Sequence, residues 1–177
     1  MRKIVESTLV SADGVIGDPQ RWAMDYRDQE VQDEALERLA GCEAMLMGRR
    51  TYEVFAAMWP GQAGRFADRM NSIRKYVFSS TLATADWANS AIVRGDVVAE
   101  VTKLKQQDGQ ELAIYGHGRL AKTLLEHGLV DELRLSIHPV LVGHGQLFFA
   151  DGEQTAMKFL SAKTFGTGVV VLSYQPA

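Results

Sequence analysis

The sequence predicts an α/β fold: a mostly parallel mixed sheet with an antiparallel C-terminal hairpin, and helices on both faces. Three observations predict it. Short apolar runs such as Ala44 to Met47, too few residues for a helix, are bounded by Gly, Pro or Asp and read as buried strands. Segments with apolar residues at helical spacing follow most of these runs, so strand and helix alternate. The last two runs are separated only by Gly166-Thr167-Gly168, the mark of a hairpin.

Lys3 to Val10 forms the first strand and ends at the turn signal Asp13-Gly14. Gly14 to Arg27 is long for a connection in a compact domain, and loops of that length are often functional. It carries Trp22, Asp25 and Tyr26 and runs into Asp28. Asp28 to Ala40 is an amphipathic helix with Val31, Ala35, Leu36 and Leu39 on one side and Gly41 as its stop. The strand at Ala44 to Met47 passes through Gly48-Arg49-Arg50-Thr51 into a helix from Thr51 to Met58. After the break at Pro60 to Gly64, Arg65 to Ile73 makes a short helix with Phe66 and Met70 on its apolar face. Lys75 to Phe78 is a strand leading into the hydroxyl cluster Ser79-Ser80-Thr81, and Ala91 to Val93 is a further short strand. Asp96 to Gln107 is a helix; Leu112 to Tyr115 is a strand opening onto Gly116-His117-Gly118-Arg119-Leu120-Ala121 and a helix closed by Gly128. Leu133 to His138 is stopped by Pro139, and the glycine-rich turn Val142 to Gly145 precedes Leu147-Phe148-Phe149. Met157 to Phe165 and Val169 to Tyr174 are the hairpin strands.

With 177 residues, 46% of them hydrophobic, the chain can bury one substantial core, and a single domain over residues 1–177 is expected. A net charge of -3 argues against a nucleic-acid surface, which would require a basic face. Cys42 stands alone, so no disulfide closes within the chain and a thiolate metal cluster is excluded. His117, His127, His138 and His144 lack metal-ligand spacing, so no metal is expected. Glu6 interrupts the apolar start before it reaches signal-peptide length, and no run approaches the ~20 apolar residues that span a bilayer. A cytoplasmic protein without membrane partners is expected.

Two junctions carry chemistry. Where Gly48-Arg49-Arg50-Thr51 turns a strand into a helix, unpartnered helix N–H groups, two guanidinium groups and a hydroxyl make an anion site, most naturally for phosphate. The plainer reading is a glycine turn with two solvated arginines. Gly116-x-Gly118-x-x-Ala121, after a strand and opening a helix, fits the dinucleotide pattern in its required context. The acidic residue that binds NAD ribose hydroxyls some 20 residues on is missing from Leu135 to Val140, so a classical NAD domain fits poorly. The phosphate loop of the P-loop enzymes is absent.

The order Ala12-Asp-Gly-Val-Ile-Gly17, Trp22, Met47-Gly-Arg-Arg-Thr-Tyr-Glu53, Val77-Phe-Ser-Ser80 and Ile114-Tyr-Gly-His-Gly-Arg119 resembles the dihydrofolate reductase-like superfamily along nearly the whole chain. Leu129 to Leu135 and His138 to Phe148 resemble the branch holding the reductase domain of the bifunctional riboflavin-biosynthesis protein, the RibD C-terminal domain. The resemblance implies about eight strands with NADPH bound across their carboxyl edge. It places phosphate on Gly48, Arg49, Arg50 and Thr51, the adenosine 2′-phosphate near Ser79, Ser80 and Thr81, the diphosphate on Gly116, His117, Gly118, Arg119 and Leu120, and the nicotinamide against Ile16 and Gly17. Dihydrofolate reductases carry Gly-Gly where this chain has Gly116-His117. A homodimer is implied as well.

Hydride delivery must be matched by a proton, from an acid or a water it orders. The resemblance points to Asp25 and Asp28 after Trp22, and to Asp13 at the Asp-Gly turn. Asp28 reads equally as a helix N-cap and Asp13 as a turn residue. His117 reads either as a diphosphate ligand or as an exposed turn histidine, and Trp22 and Trp59 either as walls of a flat substrate pocket or as core. The expected function is an NADPH-dependent reductase of a small pterin-like or pyrimidine ring in riboflavin or folate biosynthesis. Reduction of a ribosylaminopyrimidine or of dihydrofolate, and a nucleotide-binding dimer without catalysis, are the alternatives.

Overall fold

The computed structural model describes residues 1–149 and 154–177, and these form one sheet with five α-helices packed against it. Its strands are β1 (Ile4–Ser11), β2 (Cys42–Gly48), β3 (Arg74–Phe78), β4 (Ser90–Val93), β5 (Glu111–Tyr115), β6 (Glu132–His138), β7 (Met157–Thr164) and β8 (Val170–Pro176). The helices are α1 (Gln29–Ala40), α2 (Arg49–Met58), α3 (Arg65–Ser72), α4 (Val97–Gln106) and α5 (Arg119–Glu126). Across the sheet the order is β4-β3-β2-β5-β1-β6-β8-β7. Strands β1 to β6 are parallel, and β8 runs antiparallel to both of its neighbours. The α/β class, the mixed sheet and the closing hairpin are those the sequence predicts.

Side chains alternate across each strand and so feed two cores. Ile4, Leu46, Leu112 and Ile114 pack under α4 and α5 against Val101, Leu104, Ala121 and Leu124. Met45, Met47, Val77 and Ala113 point the other way, into a core with Leu39, Tyr52, Met70 and Trp87 under α1, α2 and α3. Burial on both faces makes the inner strands mostly apolar, yet two charged side chains are enclosed within them. Glu6 in β1 and Lys75 in β3 are fully buried. Lys75 Nζ donates to the carbonyls of Asn71, Ile73 and Ala88 and lies over the Trp87 ring, fastening the end of α3 to the β3–β4 connection. Cys42 is buried at the start of β2, its Sγ 3.3 Å from the Arg38 carbonyl oxygen, and burial pushes the thiol pKa up to about 11.

The long loop after β1 contains two short 3-10 turns, Pro19–Arg21 and Met24–Tyr26. At the other border of the sheet, β7 is an edge strand exposed along seven of its eight residues, Phe159 and Leu160 among them.

Candidate functional site

Parallel strands deliver their carboxyl ends to one edge, and the loops there hold every residue the sequence assigns to a cofactor. Ile16 and Gly17 follow β1, Gly48 to Thr51 close β2, Ser79 to Thr81 follow β3, and Gly116 to Leu120 follow β5. The four first N–H groups of a helix have no partner inside it. Asp28 caps α1 through the Val31 amide at 2.9 Å, and Asp96 caps α4 through Ala99 at 2.8 Å. α2 and α5 begin instead at Gly48 and Gly118, without any side-chain cap. These two helices spring from adjacent strands, and Gly48 lies against Leu120 so closely that a Cβ on the glycine would meet the leucine Cβ at 3.8 Å. Two uncapped, positively polarised helix ends therefore lie side by side.

The space over the second of them is clear. Gly116 adopts φ +80°, which a side chain would strain, and neither Gly116 nor Gly118 has anything within 4 Å of where a Cβ would stand. Arg49 and Arg50 are exposed, and among the described residues Arg49 makes a single loose ion pair, to Glu53 at 3.8 Å. Such a pair contributes little and releases the guanidinium readily. After β3, the Ser79 hydroxyl accepts from the amides of Thr81 and Leu82, and Arg94 donates to the carbonyls of Ser79, Ser80 and Leu82. Arg94 sits one residue past β4, where the sequence alone gives no sign that β3 and β4 lie side by side.

On the far side of β1 the loop is tied to residues 140–149. The Ile16 amide donates to Gln146 O and the Phe148 amide to Gly14 O, both at 2.8 Å, and Val15 pairs with Leu147. Asp13 completes the tie by accepting from the Ser11 hydroxyl at 2.6 Å and the amides of Val142 and Gly143 at 3.1 and 2.6 Å. The Ser11 hydroxyl, with those amides, holds its pKa down to about 2. A proton donor near neutral pH needs the opposite, and through these three bonds Asp13 clamps the turn to Val142 and Gly143. Asp28 serves as the N-cap that one of its two sequence readings gives, its Oδ1 accepting from the Val31 amide of α1. Asp25 lies exposed in the turn Met24–Tyr26, the one carboxylate of the three whose side chain makes no hydrogen bond among the described residues.

Trp22 and Trp59 do not face a common pocket. Trp22 is buried, donates Nε1 to Gly17 O at 2.8 Å and meets His138 edge-on, so it braces the Gly17 backbone. Trp59 packs between Phe55 and Phe66 and lines a cleft of about 400 Å³ between α1 and α3, with Arg27, Gln32, Arg65 and Phe66. The Arg27 guanidinium stands 5.7 Å from the Phe66 ring centre.

His117 is the largest departure from expectation. It is not an exposed turn histidine: its side chain is fully buried, and Nδ1 lies 2.6 Å from Oε1 of Glu6, equally buried. The Thr8 hydroxyl reaches the same oxygen at 3.3 Å, and the Phe148 ring packs 4.3 Å from the imidazole. Glu6 was legible only as a charge inside a predicted strand; the signal it offered is that an inner parallel strand has no solvent face to receive it. Among the described residues no group of three or more His, Cys, Asp or Glu side chains is placed to hold a metal ion, and no helix is long and apolar enough to cross a membrane.

The family model of the RibD C-terminal domain matches residues 2–171. The chain belongs to the RibD C-terminal domain family. YyaP, an uncharacterized Bacillus subtilis protein, is 32% identical over 180 residues, which cover 98% of this chain and 94% of YyaP. Among solved structures, the pyrimidine reductase-like protein of Corynebacterium diphtheriae superposes with TM-score 0.70 at 12% identity, over 99% of this chain and 92% of the other. The Thermotoga maritima diaminohydroxyphosphoribosylaminopyrimidine deaminase/5-amino-6-(5-phosphoribosylamino)uracil reductase gives 0.69 at 15% identity, over 99% of this chain and 57% of that longer one. At such identities the likeness carries the fold, with the mixed sheet and carboxyl-edge loops of the RibD C-terminal domain.

Proposed function

We propose that this chain is an NADPH-dependent reductase that delivers hydride to a small pyrimidine or pterin-like ring. The observation carrying it is the pair of uncapped helix starts at Gly48 and Gly118, side by side and flanked by Arg49 and Arg50. The residues present fit a dinucleotide bearing a diphosphate and a 2′-phosphate: clear backbone at Gly116 and Gly118, helix-start amides without side-chain caps, and two exposed arginines. In this reading Gly48 to Thr51 and Gly116 to Leu120 hold phosphate groups, Ser80, Thr81 and Arg94 receive the adenosine 2′-phosphate, and Ile16 and Gly17 support the nicotinamide. NADPH, when bound, supplies the hydride. The Asp13 clamp and the Trp22 bond keep the Ile16–Gly17 backbone in place, and Asp25 or a water it orders supplies the proton.

The cleft lined by Trp59, Phe66, Arg27 and Arg65 offers aromatic walls and two guanidinium groups, which suits a ring carrying an anionic tail. A second reading, a nucleotide-binding protein without turnover, is favoured by the engagement of Asp13 and Asp28 elsewhere. The exposed edge of β7 supports a homodimer, and the buried lone Cys42 suits the reducing cytoplasm, with the described residues acting as one domain.

NADPH titration by calorimetry tests the cofactor. Arg49→Ala removes a charge-assisted contact of roughly 1.5–3 kcal/mol, so NADPH affinity falls at least about tenfold. Unchanged affinity removes the phosphate assignment. Oxidation of NADPH with a panel of pyrimidine and pterin substrates separates the reductase from the silent binder, which accelerates with none.

A further inference from the structure

The proposed cofactor site uses only the outward side of the Gly116–Arg119 turn; the inward side carries a feature that the reading above leaves without a role. We propose that Glu6 and His117 form a buried pair that positions this turn as a phosphate cradle, with Glu6 as the positioning residue and His117 as the strut joining it to the loop.

Both side chains are fully shielded from water, and Nδ1 of His117 makes a short hydrogen-bond contact of 2.6 Å with Oε1 of Glu6. The described residues give the pair little else. The Thr8 hydroxyl shares Oε1, while Glu6 Oε2 and His117 Nε2 have no hydrogen-bond partner. A pair so incompletely satisfied is a poor stabiliser, and apolar side chains of similar volume commonly replace such pairs without loss of stability. Its effect is therefore sought in geometry. Glu6 stands on β1 one register position from the strand pairing that leads into the turn, since Ser7 pairs with Tyr115 and accepts the Gly116 amide at 2.8 Å. Drawing His117 inward onto this rigid strand leaves only glycine, at 116 and 118, to face outward, so no side chain covers the free amides of α5. Phe148 closes over the imidazole at 4.3 Å, and its own amide is bonded to Gly14 O. The same strut thus joins the diphosphate turn to the loop assigned to the nicotinamide. Without His117, the buried Glu6 side chain would keep only the Thr8 hydroxyl as a partner among the described residues.

This inference rests on the cofactor reading, and its test separates the two. Two variants are compared with wild type: Glu6→Gln, which keeps an acceptor but not the charge, and the apolar double variant Glu6→Leu/His117→Leu. Expected are backbone order parameters at His117 and Gly118 that fall in the cofactor-free protein from about 0.85 to below about 0.6. NADPH affinity is expected to fall about tenfold or more in both variants, with the double variant melting no lower than wild type. A merely structural pair would make affinity follow melting temperature. A double variant that is stable and keeps either the order parameters or the affinity of wild type overturns the proposal. Failure of wild type to bind NADPH overturns the cofactor reading, and the order parameters then decide for or against the positioning of the turn.

Discussion

Asp13 and Asp28 show how one residue type takes different work from its surroundings. Asp13 joins the turn after β1 to Val142 and Gly143, and its pKa lies at about 2 against an ordinary 3.8. A depressed carboxylate stabilises the folded state in full above the unfolded value and loses that contribution as pH falls through the folded one. The gap in urea midpoint between wild type and Asp13→Ala should therefore be widest above about pH 5 and shrink towards pH 2. Asp28→Ala should cost about 1 kcal/mol through loss of the α1 cap, measured by denaturant unfolding, while leaving kcat for NADPH oxidation unchanged. The cap could be read from the sequence, because its donor lies three residues away. Glu6 and His117 could not, because 111 residues separate them and only the parallel pairing of β1 with β5 brings them together.

At the scale of the element, the junction after β2 was legible, but its boundary was displaced. Apolar periodicity places the helix start at Thr51, whereas α2 begins at Arg49, because a first turn exposed to solvent carries no apolar signal. The shift puts both arginines inside the first turn. The 3-10 turns Pro19–Arg21 and Met24–Tyr26 leave no mark in the sequence beyond that of a loop, since three residues are too short to show a period. The missing caps of α2 and α5 make a sharp prediction. Gly118 has extended backbone, φ −88° and ψ −172°, with open space for a side chain, so Gly118→Asp fits without strain and supplies the cap itself. Melting temperature should hold or rise, while NADPH affinity drops at least about tenfold as the carboxylate occupies the amides. Equal affinity would show that those amides bind no phosphate.

For the molecule as a whole, strand and helix alternation gave the α/β class and the final hairpin, but not the order of strands. Insertion of β5 between β2 and β1 is decided by which faces the helices can cover, and no local pattern encodes it. That insertion makes β2 and β5 neighbours and so creates the candidate site. At the other border of the sheet β7 is an edge strand with Phe159 57% exposed. If two copies join there, Phe159→Glu should convert a dimer into a monomer in sedimentation velocity, with the circular dichroism spectrum retained. The lone thiol gives the molecule a built-in clock. Cys42 is shielded and reluctant to ionise, so a maleimide dye at neutral pH can label a chain only after β2 has opened to admit it. The labelling rate of the unmodified protein thus reports how often its interior comes apart, and a ligand that grips the ends of β2 and β5 should slow it in proportion to how tightly it binds.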